Sequence, residues 1–266
     1  MREYEGLALD CPEKGILVVT LNRPDRFNAL TFEMFDELTA LCTDLERDES
    51  VRVVILTGAG RGFCGGLDLQ AAAQLPEMSA PEFLRGQEKW AGVSLALRRL
   101  STPVIAAVNG AAAGAGFSIA LACDLRIAST AAKFNAAFIR IGLTGGDMGS
   151  SWLLPRIIGL GIANELLLTG RFVDAHEAGR IGLVNRVVEP DDLLPAALEM
   201  AHQIMLNSPF AVRVTKQVIA ANLGAATLEL GIELENRNQA LAVATSDQRE
   251  ALAAFLARRP AVFSGS

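Results

Sequence analysis

Two glycine-rich turns are the first places where this chain could do chemistry. The earlier reads Gly58-Ala59-Gly60-Arg61-Gly62-Phe63-Cys64-Gly65-Gly66-Leu67-Asp68-Leu69. The later reads Asn109-Gly110-Ala111-Ala112-Ala113-Gly114-Ala115-Gly116-Phe117-Ser118. Glycine lets a backbone come close to a ligand. A turn that opens a helix leaves N–H groups without intrahelical acceptors. Two such turns brought together offer two donors to one oxygen, the anatomy of an oxyanion hole. Ordinary tight turns between packed elements would look the same, and spacing alone does not choose.

Other chemistries fit less well. Gly60 to Gly65 matches G-x-G-x-x-G after an apolar run, the fingerprint of a dinucleotide-binding turn. Yet Asp68 sets an acid where the pyrophosphate would lie, and a long polar segment follows instead of a short βαβ unit. No acid stands at a strand end about 20 residues on, where the ribose needs one. The four cysteines, Cys11, Cys42, Cys64 and Cys123, show no C-x-x-C spacing, and the chain has two histidines, His176 and His202. A structural zinc site is therefore not expected. The thiols read as reduced groups of a cytoplasmic protein.

Each turn needs a strand in front of it and a helix behind it. Residues 16–21, 51–56 and 104–108 are apolar and rich in β-branched side chains, which predicts strands. The continuous apolar run of residues 53–56 predicts cover on both faces, and 104–108 reads as a further buried strand. Thr31 is placed to cap a helix whose Met34, Phe35, Leu38 and Leu41 share one face. Residues 90–100 and 118–123 read as helices, and 125–128 as a short strand. The alternation predicts an α/β layered core. Residues 71–87 are polar and alanine-rich with two prolines, and read as a mobile segment. Beyond Pro190, residues 193–205, 209–222 and 225–255 read as helices. We therefore expect a core over 1–190 and a helical oligomerisation region over 191–266. Trp90 and Trp152 read as core residues.

The 24 Lys+Arg against 30 Asp+Glu give a formal charge of −6. A broad phosphate-binding surface is then not expected, nor a nucleic-acid partner. A hydrophobic share of 51% excludes general disorder. Residues 100–123 carry no charge over a length that could cross a bilayer. Pro103, Asn109, Gly110, Gly114 and Gly116 punctuate that stretch, so it reads as buried strand, turn and buried helix. The early charges do not suit a signal peptide. No membrane partner is expected, and the location expected is cytoplasmic.

Taken together, these motifs resemble the crotonase superfamily, the enoyl-CoA hydratase/isomerase family, over nearly the whole length. The marks are Leu21-Asn22-Arg23-Pro24 with Asn28-Ala29-Leu30, Gly62-Phe63-Cys64-Gly65-Gly66-Leu67-Asp68-Leu69 and Pro103-Val104-Ile105-Ala106-Ala107-Val108-Asn109-Gly110. Ala122-Cys123-Asp124-Leu125-Arg126-Ile127-Ala128, Leu154-Pro155-Arg156-Ile157-Ile158-Gly159, Leu168-Thr169-Gly170-Arg171, and Ala178 with Gly182-Leu183-Val184 complete them. The resemblance implies a spiral of ββα units with a helical C-terminal trimerisation region, as homotrimers or dimers of trimers. It implies an acyl-CoA substrate and no separate cofactor, coenzyme A arriving as part of the substrate. By matching positions, the N–H groups of Leu67 and Ala115 would hold the thioester oxygen, with Gly116 in the same binding turn. Gly66, Leu67, Asp68 and Leu69 would line the adenine and pantetheine. Arg26 and Ala29 would sit near the CoA phosphates and pantetheine.

The chain departs from the family's hydratases at two positions. Those enzymes use two glutamates, and the matching positions hold Ser118 and Phe138. Neither side chain transfers protons as a carboxylate does. Ser118 lacks a nucleophile elbow, since Phe117 precedes it and Ile119-Ala120 follow. Neither histidine has a reason to meet it, so a catalytic triad is not expected. Asp147, in Gly142-Leu143-Thr144-Gly145-Gly146-Asp147-Met148-Gly149-Ser150, resembles the proton-shuttling aspartate of some isomerases of the family, in a turn one residue longer. Phe134, Phe138, Leu143 and Met148 are expected around it and would raise its pKa, as a general base at neutral pH requires. Its other reading is a helix cap. The residues favour double-bond isomerisation through an enolate. Hydration by a non-standard acid/base set, or acyl-CoA binding without catalysis, are the alternatives.

Overall fold

The computed structural model describes residues 3–265. The chain opens with strands β1 (Leu7–Glu13) and β2 (Ile16–Leu21) and helix α1 (Phe32–Leu45). Next come β3 (Val53–Gly58), β4 (Gly62–Cys64), α2 (Leu69–Ala72) and α3 (Ala80–Arg99). The following unit is β5 (Val104–Val108), β6 (Ala111–Ala113) and α4 (Ala115–Ala122). The next is β7 (Leu125–Ser129), β8 (Lys133–Asn135), α5 (Ser150–Ile158) and α6 (Leu160–Thr169). Then follow β9 (Val173–Asp174), α7 (Ala175–Arg180) and β10 (Arg186–Val188). Four helices end the chain: α8 (Leu193–Met205), α9 (Pro209–Asn222), α10 (Leu228–Val243) and α11 (Ser246–Leu256).

Three successive units repeat one plan. Each gives a longer strand to the sheet β1-β2-β3-β5-β7-β10, a short strand to the sheet β4-β6-β8-β9, and then a helix. Each unit is displaced sideways by one strand, so the chain advances as a spiral of ββα turns. From β2 onward the larger sheet is parallel, with Val18 opposite Ile55 and Ile105 opposite Leu125. β1 runs antiparallel along its edge. Most of its side chains face solvent, so it carries too little apolar pattern to stand out in the sequence.

The central strands are covered on both faces, as their largely apolar sequences require. Ile16, Val18, Val53, Ile55, Ile105 and Ile127 pack against Leu193, Ala197 and Ala201 of α8. The alternate residues Leu17, Val19, Val54, Leu56, Val104 and Val108 face α1, α3 and α4 in the main core. Lys216 of α9 anchors the C-terminal helices to this body. Its ammonium group lies 2.6 Å from Asp124 and donates to the Thr102 carbonyl at 3.0 Å.

Several expectations need correction. Residues 71–87, expected to be irregular and mobile, hold regular structure: α2 and a 3-10 turn occupy the first part, and α3 begins at Ala80, not near Trp90. A Ser79–Glu82 capping box starts α3, with the Ser79 N–H donating to the Glu82 carboxylate at 2.9 Å. Residues 62–64 and 111–113 are strands rather than loop, and α4 begins at Ala115, before Ser118. The G-x-G-x-x-G stretch therefore runs through a strand and does not open a helix as a dinucleotide turn would. Trp90 is core, stacked on Phe32 at 4.6 Å. Trp152 is not: it is exposed, with the Arg156 guanidinium 3.8 Å above its ring. Residues 225–255 divide into α10 and α11, because Thr245 accepts the Gln248 N–H and starts a new helix. Among the described residues no helix is long and apolar enough to cross a membrane.

Asn28 ties the loop after β2 to the turn after β3. It is fully buried with a left-handed φ of 56°. Its Nδ2 donates to the carbonyls of Ala59 at 2.9 Å and Gly62 at 2.7 Å, and its Oδ1 accepts the Arg23 N–H at 2.9 Å. Asn28→Ala removes the side-chain partner of the Ala59 carbonyl and the Arg23 N–H, leaves the Gly62 carbonyl to Asn109 alone, and should cost about 3 kcal/mol. Urea unfolding at fixed protein concentration tests this; an unchanged midpoint contradicts it.

Candidate active site

The two glycine-rich turns meet back to back. β4 and β6 pair in parallel, with Cys64 opposite Ala112. This pairing presses backbone on backbone just beyond the strands. A Cβ at Gly66, whose φ is +97°, would stand 2.9 Å from the Ala113 carbonyl oxygen and 3.7 Å from the Ala115 nitrogen. A Cβ at Gly116 would stand 2.3 Å from the Cys64 carbonyl oxygen. Only glycine permits either approach.

That contact orients two N–H groups. Leu30 donates to the Gly66 carbonyl at 2.7 Å, and Asp68 donates to the Leu30 carbonyl at 2.8 Å. The Leu67 N–H lies between these bonded neighbours and has no acceptor among the described residues. Ala115 is the first residue of α4, and its N–H also lacks one there. Both residues line one cleft of about 210 Å³. Its lining is largely apolar and includes Phe35, Leu75, Phe83, Trp90, Phe138 and Met148.

Asp147 reaches into the same cleft and is its one ionisable lining residue among those described. The side chain is half-buried. Its Oδ1 accepts the Met148 N–H at 2.7 Å and a short hydrogen bond from Gln87 Nε2. Burial pushes its pKa above the ordinary carboxyl value, and these two donors oppose the shift. The backbone beneath is tightly held. Ser118 Oγ donates to the Asp147 carbonyl at 3.1 Å, and the Ser150 N–H donates to it at 3.0 Å. The Asp147 N–H donates to Ser150 Oγ at 3.1 Å, and that hydroxyl donates to Gly145 at 3.0 Å. Asp147 does not cap α5. Gly149, at φ 86°, holds that position with no side-chain bond.

The expected residues divide into two groups. Gly66, Leu67, Leu69, Ala115, Phe138 and Asp147 line the cleft. Asp68 does not. It is buried, caps α2 through the Gln70 N–H at 2.8 Å, and pairs with Arg23 at 2.9 Å. Its carboxylate thus steadies the Leu67 loop from behind. Gly116 lies behind the second turn against Cys64, and Ser118 is fully buried under Asp147. Arg26 is exposed on a 3-10 turn outside the cleft lining, and the Ala29 carbonyl accepts from Arg23 at 2.6 Å. Phe134 stands in the core, 6.1 Å from Phe117, and not around Asp147. His176 is exposed, and His202 pairs with Glu13 at 2.6 Å. Sequence reasoning missed Phe83 and Gln87 as site residues. Their spacing with Trp90, at i, i+4 and i+7, was the available helical signal.

Asp147→Asn keeps the accepting oxygen and removes the ionisation. The folded carboxyl has a raised pKa, so ionising it costs the folded state stability. The variant should therefore have the higher thermal midpoint at pH 7. Its advantage should grow as pH rises from about 4 and level off above the raised folded value. Calorimetry across pH checks this, and a variant less stable at pH 7 refutes it.

Comparisons with known proteins agree on one family. The family model described as enoyl-CoA hydratase/isomerase matches residues 12–266. A protein of Mycobacterium tuberculosis described as a probable enoyl-CoA hydratase is 43% identical over 258 residues, covering 95% of this chain and 90% of the relative. A crystal structure of a probable enoyl-CoA hydratase/isomerase from Mycobacterium abscessus is 42% identical, with a TM-score of 0.90 over 98% of this chain and 100% of that one. A monofunctional enoyl-CoA isomerase from M. smegmatis is 48% identical, with a TM-score of 0.73 over 86% of this chain and 99% of that one.

Proposed function

Because the chain belongs to the enoyl-CoA hydratase/isomerase family, we propose that its cleft moves a double bond within an enoyl-CoA thioester, with Asp147 as the single proton carrier. One observation carries this reading: Asp147 is the cleft's one ionisable lining residue among those described. Hydration in the manner of the family's hydratases takes two carboxylates to hold and activate water. At the two positions that the sequence resemblance matches to those glutamates, this chain has a buried serine, Ser118, and a phenylalanine, Phe138.

The chemistry closes with one carboxylate. Asp147 takes a proton from C2 of a 3-enoyl thioester. The electron pair passes into the conjugated system and the thioester oxygen. The N–H groups of Leu67 and Ala115 receive the developing charge. As the dienolate collapses, the double bond forms between C2 and C3, and the same carboxyl returns the proton to C4. Donors already aimed at that oxygen need no reorganisation when the charge appears. The raised pKa of Asp147 brings its proton affinity toward that of a general base at neutral pH. The apolar walls suit an uncharged acyl group. No separate cofactor is required.

In this reading residues 1–190 form the catalytic core and 191–266 the oligomerisation region. Leu228, Leu241, Val243, Phe255 and Leu256 of α10 and α11 stand exposed in the single chain, a pattern suited to burial against further copies. We expect a homotrimer or a dimer of trimers. Analytical ultracentrifugation should then give three or six times 28.2 kDa. A monomer at micromolar concentration refutes this.

Turnover of 2-enoyl-CoA and 3-enoyl-CoA panels tests the mechanism, with ester binding measured in parallel. Asp147→Ala should lower isomerisation by about 100-fold or more while binding persists. Hydration that survives the substitution, or tight binding of every ester with no turnover by the unaltered protein, overturns the reading. Gly66→Ala displaces the Leu67 amide and should lower kcat by roughly 100-fold, the usual loss for one oxyanion donor.

A further inference from the structure

We propose that Gln87 is a positioning residue that holds the Asp147 carboxylate oriented and ionised between turnovers. The inference rests on the proposed function for its catalytic consequence, and on geometry for the clamp itself. Gln87 comes from α3, an element separate from the turn that carries Asp147. It crosses to donate Nε2–H to Asp147 Oδ1, the same oxygen that accepts the Met148 N–H at 2.7 Å. Both donors therefore converge on one oxygen. Oδ2 has no donor among the described residues. The carboxylate is thus divided into a tethered oxygen and a free one, and the free oxygen is the one left to exchange protons with a substrate.

A donor here matters because the pocket supplies no other counterweight. The other residues that line the cleft with the carboxyl are uncharged, among them Trp90 on α3, Leu67 on the first turn, Phe138 and Leu143 ahead of it, and Met148 after it. Charged residues on the same elements, Arg85, Glu88, Arg140 and Arg156, are exposed outside the cleft lining. No charged neighbour contributes to the shift of the Asp147 pKa. Burial raises it, and the Met148 and Gln87 donors are the two groups that lower it. A hydrogen bond to the charged form favours that form. Remove the Gln87 donor, and the carboxyl binds its proton more tightly and loses its fixed plane.

α3 also bears Phe83 and Trp90 on the same wall of the cleft. The helix that meets the acyl group is therefore the helix that holds the base. A shift of α3 on ligand binding passes directly to the Asp147 carboxyl through the Gln87 side chain.

Gln87→Met keeps a flexible helix-forming side chain of similar length and deletes the donor. Two readouts separate the clamp from its catalytic use. The first is the carboxyl titration of Asp147, followed by carbon NMR on protein labelled at aspartate Cγ, with Asp147→Asn identifying the resonance. The second is the pH profile of kcat and kcat/KM. We expect the Asp147 midpoint to move up in Gln87→Met. The acid limb of the profile should move with it, and kcat at neutral pH should fall by about tenfold with KM within threefold. Gln87→Glu, which sets a second carboxyl against the first, should raise the midpoint further. An unmoved midpoint in both variants overturns the proposal. So does a tenfold change confined to KM. A midpoint that rises while isomerisation by the unaltered protein proves indifferent to Asp147→Asn upholds the clamp and refutes the isomerase reading instead.

Discussion

The site depends on a backbone-to-backbone contact that leaves no room for a side chain. Gly66 lies against the Ala113 carbonyl, and Gly116 lies against the Cys64 carbonyl. The parallel pairing of β4 with β6 brings these turns together and sets the start of α4 beside the Leu67 loop. Everything around the contact keeps it closed. Asn28 and Asn109 spend their carboxamides on the carbonyls of the Gly58–Gly62 region, and Asp68 with Arg23 braces the far side. Buried groups satisfied in this way make a rigid frame. A rigid frame is what two N–H donors need to stay aimed at one oxygen.

The side of the cleft that would handle the proton in the proposed reaction is built by opposite means. Asp147 sits among apolar side chains, where burial makes its charge costly. Two donors on a single oxygen restrain that effect, and four bonds through Ser118 and Ser150 hold the turn in place. Ser118 takes the place of an expected ligand-facing residue and acts instead as a support under the carboxylate's own backbone. The same cleft is therefore lined by Leu67 and Ala115, whose N–H groups lack acceptors among the described residues, and by a single carboxyl. Leu75, Phe83 and Trp90 enclose the space between them.

The repeating core was largely legible in the sequence. The β-branched run at Ile16–Leu21 identified a strand, the continuous apolar run at residues 53–56 one covered on both faces, and Thr31 marked the start of α1. The C-terminal helices α8 and α9 were legible from apolar periodicity. Short strands were not. β4, β6 and β8 have three residues each, too few to show a period, and gain their identity from neighbours far along the chain. The helical turns at the start of α3 were hidden because their outward residues are polar, and the capping box and Trp90 stacking decide the matter.

For the site, the residue types determined the two glycine-rich turns, and the family resemblance singled out Ser118 and Phe138, which are not carboxylates, and Asp147, which is. These are local facts, since glycine's freedom and a side chain's ionisation belong to the residue itself. Only the tertiary structure decided that Asp68 faces Arg23 rather than the cleft, that Asp147 caps nothing, and that Gln87 meets it from sixty positions away. Burial, hydrogen-bond partners and the direction of a pKa shift come from groups brought together by packing. Spacing along a chain does not encode them.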